Sequence, residues 1–284
     1  MTQILAVIDG SIYSTSVCDH AAWIAQRLHL SVEVVHVLGR RDVSSQPTNL
    51  SGSIGLGART ELLDELAELD ASRARLAQKR GRAILEDAKE RLNADGVTEV
   101  ATRLRHGEIV ETVQDFETDA EVIVIGKRGE AADFNTLHLG SNLERIVRST
   151  HKPIFVASRE FKPIKRFLLA FDGGNSATLA VERLAALPQF ADLTCHLLYV
   201  GNASTELQRQ LEGAQATLQQ AGFTVAAEVV PGQAEAVIAD KVESDHIDLL
   251  VMGAYGHSRI RNLIIGSTTT HMLQLCRVPV ILFR

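Results

Sequence analysis

Residues 4–39 read ILAVIDGSIYSTSVCDHAAWIAQRLHLSVEVVHVLG. A continuous apolar run, ILAVI, ends at Asp9-Gly10. A helix-like stretch, STSVCDHAAWIAQRLHL, leads to a second strand-like run, VEVVHVLG. Short unbroken apolar runs separated by helical patterns are the mark of a parallel sheet buried on both faces, because an antiparallel sheet with one wet face would alternate. The same phrase returns from residue 167 as FLLAFDGG, SATLAVERLAALPQFA and LTCHLLYVG, so that Asp172 matches Asp9 and Val200 matches Val37 at a constant offset of 163. The chain repeats itself once.

The repeat runs to the end. RHGEIVETVQDFETDAEVIVIGKRG (105–129) matches VPGQAEAVIADKVESDHIDLLVMGAYG (230–256), and each half closes on a Gly-Ser pair and a proline-led apolar run, PIFVA from Pro153 and PVILF from Pro279. The economical reading is two α/β domains in tandem, residues 1–158 and 163–284, joined near SREFKPIKR. Each is a doubly wound, Rossmann-like layer with its ligand crevice at the carboxyl ends of the strands. The halves differ mainly between residues 40 and 93. Residues 40–58 carry Ser, Gly, Pro and Asn and read as a loop. Residues 60–93 place Leu62, Leu66, Leu69, Leu76, Ile84 and Leu92 at helical spacing, with a break expected near Gly81. The plain reading of this insert is a domain helix with an exposed end, and a partner-binding arm is the alternative.

Composition narrows the function classes. A hydrophobic fraction of 45% and a charged fraction of 23% describe an ordinary globular chain. No apolar stretch approaches the roughly 18 residues of a membrane span. The N-terminus lacks a basic region and a small-residue cleavage site, and the three scattered cysteines, Cys18, Cys195 and Cys276, suggest buried thiols in a reducing cytoplasm. A net charge of −6 disfavours sequence-independent nucleic-acid binding.

The stretch GAYGHSRIRNLIIGS (253–267) follows the buried run LLVM. Glycines at 253, 256 and 266 allow a backbone to approach a phosphate chain without a Cβ in the way. Gly266 and Ser267 would present free N–H groups and a hydroxyl at the start of the last helix. A bland alternative makes Gly253 a strand terminator, Gly256 a turn residue and Ser267 an N-cap. Asp172, at the end of the first strand of the same half, is a suitable acceptor for a base amine or ribose hydroxyl, although Asp-Gly is also a common turn pair.

With these features the chain resembles the universal stress protein family over nearly its whole length, in tandem form. The family's nucleotide signature is a Gly, two residues, a Gly, nine residues, then Gly followed by Ser or Thr, and residues 253–267 fit it throughout. The resemblance implies ATP binding in the second half, with or without Mg²⁺. Asp172 and the backbone near Val200 would hold the adenosine, and Gly253, Gly256, Gly266 and Ser267 the ribose and phosphates. His257 and Arg259 sit inside the loop and are candidates to reach a phosphate. It further implies that the two halves pair through their last strands as an intramolecular pseudo-dimer, with a homodimer of chains as a further step. The first half keeps Asp9, Val37, Gly126, Gly129, Gly140 and Ser141 but has ten residues between Gly129 and Gly140, with Glu130 and Asp133 among them and Lys127 and Arg128 to offset their charge. A degenerate second site is expected there.

No HExxH or Cys-His cluster, Walker lysine motif, GxSxG elbow or kinase motif set occurs. His36 and His196 lie in strand-like runs and His138 in the first glycine loop, so no metal site or catalytic residue is assigned. The family analogy allows slow ATP hydrolysis or phosphorylation at Ser267, and protein partners remain unidentified. The resulting expectation is a cytoplasmic, nucleotide-dependent stress-response regulator or interaction module. Its rivals are a binder of a non-nucleotide small molecule, a scaffold with degenerate sites, and a weak ATPase.

Overall fold

The computed structural model describes residues 2–39, 56–127, 141–254 and 266–284. In chain order the elements of the first half are β1 (Gln3–Ile8), α1 (Tyr13–Leu28), β2 (Ser31–Leu38), α2 (Leu56–Ala94), β3 (Val100–His106), α3 (Ile109–Glu117), β4 (Ala120–Gly126), α4 (Ser141–Ser149) and β5 (Ile154–Ala157). The second half follows with β6 (Arg166–Ala170), α5 (Asn175–Ala185), β7 (Thr194–Val200), α6 (Thr205–Gln220), β8 (Thr224–Val230), α7 (Ala234–Ser244), β9 (Leu249–Gly253), α8 (Ser267–Leu275) and β10 (Val280–Phe283). Among the described residues no helix is long and apolar enough to cross a membrane.

The strands form one ten-stranded sheet in the order β3-β2-β1-β4-β5-β10-β9-β6-β7-β8. Within each half every pairing is parallel, and the order 3-2-1-4-5 is repeated as 8-7-6-9-10. The repeat holds to the residue: Gln3 pairs with Ser31 in the first half and Arg166 with Thr194 in the second, both partners displaced by the same 163 positions. The halves join where β5 and β10 pair antiparallel, Phe155 opposite Ile281. This is the expected pairing of the two terminal strands, and it leaves neither open to a foreign strand.

Two hydrophobic layers cover the sheet, and each runs through both halves. One includes Ile4, Ala21, Leu92, Phe155, Phe167, Leu197 and Leu218 beneath α1, α2, α5 and α6. The other includes Leu5, Ile123, Ile146, Leu250 and Met272 beneath α3, α4, α7 and α8. Alternate residues of central strands face opposite layers, which is why β1, β4 and β9 are apolar at nearly every position. The edge strands β3 and β8 depart from that rule and are largely exposed, with Arg103, Arg105 and Glu228 on them. Charged edges resist pairing with a further chain.

The insert differs from its sequence reading. Residues 40–55 of the expected loop lie outside the described residues, and α2 starts at Leu56 rather than near residue 60. The helix then runs for 39 residues and continues through Gly81 without a break. The glycine has another purpose there. A Cβ at Gly81 would lie 2.6 Å from Leu104 Cδ1 and 3.1 Å from His36 Cδ2, so its absence lets the helix approach β2 and β3. The three cysteines are buried and unbridged, as expected.

Candidate functional site

In the second half the strand order reverses between β6 and β9, and their carboxyl ends are where a doubly wound sheet takes a ligand. Register brings the candidate residues level with one another. Ala170 of β6 pairs with Leu198 of β7 and with Met252 of β9. Two residues further along each strand stand Asp172, Val200 and Ala254, and Gly253 is the last residue of β9. Three residues distant in sequence are thus adjacent along one sheet edge.

Asp172 is half-buried, and its Oδ1 accepts a 2.8 Å hydrogen bond from the N–H of Gly174, the N-cap of α5. The turn between them requires Gly173, whose φ is +76° and where a Cβ would meet Leu207 Cδ1 at 2.5 Å and Gln210 Oε1 at 2.7 Å. The Asp-Gly pair therefore serves the turn, and its position also puts a carboxylate in the crevice. Tyr199 and Val200 end β7 half-exposed, and Gly201, with φ +131°, donates its N–H to Val230 O at 2.8 Å.

The glycine loop is held at both described ends. Ala254 N–H donates to Phe283 O at 2.7 Å, Gly266 N–H to Ala254 O at 3.3 Å, and Thr269 Oγ1–H to Gly253 O at 3.1 Å. Gly256, His257 and Arg259 lie outside the described residues. One expectation needs correcting: the N–H of Gly266 is engaged by Ala254 and is not a free anion donor. The first N–H groups of α8 at Ser267, Thr268 and Thr269 have no carbonyl one turn earlier in the helix, and the helix dipole adds partial positive charge there. Ser267 is exposed, whereas Thr268 Oγ1 donates to Glu235 Oε1 at 2.8 Å. That bond, after a backbone hydrogen bond of its own, holds the Glu235 carboxyl below its ordinary range.

The first half repeats the frame with different fittings. Asp9 Oδ1 accepts from Ser11 N–H at 3.0 Å and from Ser14 Oγ at 3.5 Å; Gly10 has φ +79°. Val37 lies near the end of β2, Gly126 ends β4, and Ser141 begins α4 as Ser267 begins α8. Gly129 and Gly140 lie outside the described residues. Two departures are visible. Ile84 of α2 covers Gly10, where Gln210 and Leu207 cover Gly173 in the second half. Lys127, expected to offset an acidic loop that lies outside the described residues, also places Nζ 2.5 Å from the carbonyl of Cys276 in the other half. His36 is structural, its Nδ1 2.9 Å from Ile8 O, and His196 Nδ1 lies 3.5 Å from Asp245 Oδ2.

Sequence reasoning anticipated the strand pairing between the halves but not the side-chain contacts beside it. Arg27 forms a two-toothed ion pair with Asp192 at 2.6 and 2.9 Å, donates to Gln189 O at 2.8 Å, and lies over the rings of Trp23 and Phe190. Beside it an apolar cavity of about 290 Å³ is lined by Trp23, Leu28, Phe155, Phe167, Leu187 and Phe283. It sits over the central strands, away from the carboxyl-edge crevice. Composition-level signals could not reveal it, since its apolar lining residues each read alone as core.

A repeated 3-2-1-4-5 sheet, joined through its fifth strands and carrying an acidic residue and the described ends of a glycine-rich stretch at the switch point, defines a tandem α/β protein of the doubly wound, Rossmann-like architecture. The chain belongs to the universal stress protein family, whose pattern matches residues 1–158 and 201–284. Asp172 and Val200 fall between those segments, so their place rests on the repeat and on the register. The chain is 39% identical over 287 residues to the universal stress protein Slr1230 of Synechocystis sp., covering all of both chains. It is 24% identical over 298 residues to the universal stress protein Rv2005c of Mycobacterium tuberculosis, covering 98% of this chain and 95% of that one. Among solved structures, a universal stress protein from Archaeoglobus fulgidus has the same fold, with a TM-score of 0.74 at 17% identity over 99% of this chain and 98% of that one.

Proposed function

We propose that the second half binds ATP at its carboxyl-edge crevice and that the bound nucleotide makes the chain a regulator or interaction module of the cytoplasmic stress response. The observation that carries this reading is the placement of Asp172 and Val200 level with Ala254, next to Gly253 and the N-terminus of α8, on a chain whose loop has the Gly-x2-Gly-x9-Gly-Ser spacing. A carboxylate and the end of β7 suit a base and ribose, and a helix N-terminus suits phosphates. Asp172, the backbone at Val200, Gly253, Gly256, Gly266 and Ser267 would hold the nucleotide, with His257 and Arg259 directed at its charge. Mg²⁺, where present, would be held mostly by phosphate oxygens and water.

The first half, taken as residues 1–158, binds nucleotide more weakly in this proposal. Ile84 over Gly10 makes that crevice more apolar, and Lys127 donates to a carbonyl of the other half. Gly266→Val tests the assignment cleanly. Gly266 has φ −55° and ψ 144°, which valine adopts without strain, so the fold should survive while the added side chain stands where phosphates approach. A stable variant that has lost Mg-ATP binding supports the proposal. One that binds ATP as the parent does refutes it.

A further inference from the structure

α2 is longer than its place on the sheet requires. Its buried residues Leu85, Ala88 and Leu92 correspond to Leu211, Ala214 and Leu218 of α6, which sets the first residue of α6, Thr205, against Lys79. The turns of α2 from Leu56 to that point have no counterpart in the second half and, at 1.5 Å per residue, reach roughly 35 Å further. They project past the carboxyl edge of the first half, because Gly81 already stands over Leu104, His36 and Leu38 near the ends of β2 and β3.

This arm carries leucines that, among the described residues, belong to neither hydrophobic layer. Leu62 and Leu66 are half-exposed, Leu69 is 46% exposed and Leu76 68%. With Arg73 and Arg80 they recur at alternating steps of four and three residues, the spacing of a two-helix seam. At 100° per residue the stripe lies roughly 110° around the helix from the core-facing Gly81, Leu85, Ala88 and Leu92, so it is not that face continued. Charge is segregated along the same stretch. Asp64, Glu65, Glu68 and Asp70 precede Arg73, Arg75, Lys79, Arg80 and Arg82, with no opposite charge within either block.

We propose that the arm pairs antiparallel with the same arm of a second copy of this chain. A parallel pair would set acid on acid and base on base, whereas the antiparallel pair sets each acidic block on the partner's basic block. The register that keeps the stripe continuous places Leu66 opposite the partner's Leu76, and Leu69 and Leu62 under the aliphatic stems of the partner's Arg73 and Arg80. Glu65 then flanks the partner's Lys79. The antiparallel junction of β5 and β10 already joins the halves within one chain, so the arm supplies a separate contact between chains.

Sedimentation equilibrium of the full chain tests this. A monomer–dimer equilibrium is expected in the micromolar range, weakening with added salt. Leu66→Asn with Leu76→Asn should abolish the dimer without changing the thermal melt of the domains. Glu65→Lys should weaken it at least several-fold, and adding Lys79→Glu should restore it. Mixing Leu66→Cys chains with Leu76→Cys chains should give mixed disulfides in preference to either self-linked product. A chain that stays monomeric to about 100 µM, a dimer indifferent to the paired asparagines, or preferential self-linking would each overturn the proposal.

Discussion

Asp172 has one bond that the turn needs and one role that the proposed nucleotide site needs, and two substitutions separate them. In Asp172→Asn the side-chain carbonyl still accepts from Gly174 N–H, now 2.8 Å from Oδ1, so the stability of the chain should stay within about 0.5 kcal/mol. In Asp172→Ala that N–H loses its partner at the N-cap of α5, and the cost should be about 1–2 kcal/mol. Nucleotide affinity should sort differently. Replacing a carboxylate acceptor by an amide removes a charge-assisted bond of about 1.5–3 kcal/mol, or about 10- to 150-fold in Kd. Both variants should therefore bind Mg-ATP weakly, and only the alanine should unfold earlier in urea. Parental affinity in Asp172→Asn would refute the assignment of Asp172 to the ligand, and unchanged stability in Asp172→Ala would refute the turn role.

Gly81→Ala sets helix propensity, about 1 kcal/mol in favour of alanine, against a Cβ 2.6 Å from Leu104 and 3.1 Å from a His36 ring held by Ile8 O; the clash should win, and urea unfolding should show a net loss of about 1 kcal/mol or more. His20 is buried against Phe155 and Phe161, with Nδ1 2.7 Å from Ser16 O and, among the described residues, no partner at Nε2, and burial lowers its pKa. The unfolded chain therefore binds the proton more readily, so stability should fall as pH drops through the ordinary histidine value near 6.5, and His20→Phe should flatten that part of the urea-stability profile. Arg27→Met should cost about 1–2 kcal/mol, because stem packing is kept while the ring contacts and the ion pair go; Asp192, 63% exposed, should lose under about 1 kcal/mol on change to Asn, and less at 1 M salt by thermal melts.

Much of the topology was legible because burial on both faces of a parallel sheet leaves unbroken apolar runs, and because the repeat doubled each signal. Asp9 with Asp172 and Val37 with Val200 could be paired from spacing alone, and the strand register carries the same displacement. What stayed hidden depends on what faces a residue across space. Gly81 reads as a helix breaker until Leu104 and His36 are seen beneath it. Lys127 reads only as a counter-charge to its own loop until its ammonium is found on Cys276 O, in the other half. Gly266 reads as a donor until Ala254 is seen to take its N–H. Arg27 lies on a helix whose sequence shows only an ordinary basic last turn, and the partners that make it a clasp are more than 160 residues away. Such features are properties of the seam and the loop ends, where no local pattern records the neighbour.

The most direct measurement is calorimetric titration of the nucleotide-stripped full chain with Mg-ATP, read for stoichiometry. One site per chain, lost in Gly266→Val and kept in Gly140→Val, would place ATP in the second half and make the first a diverged copy. Absence of heat and of binding at millimolar nucleotide, or a single site that survives Gly266→Val and disappears in Gly140→Val, would contradict the account.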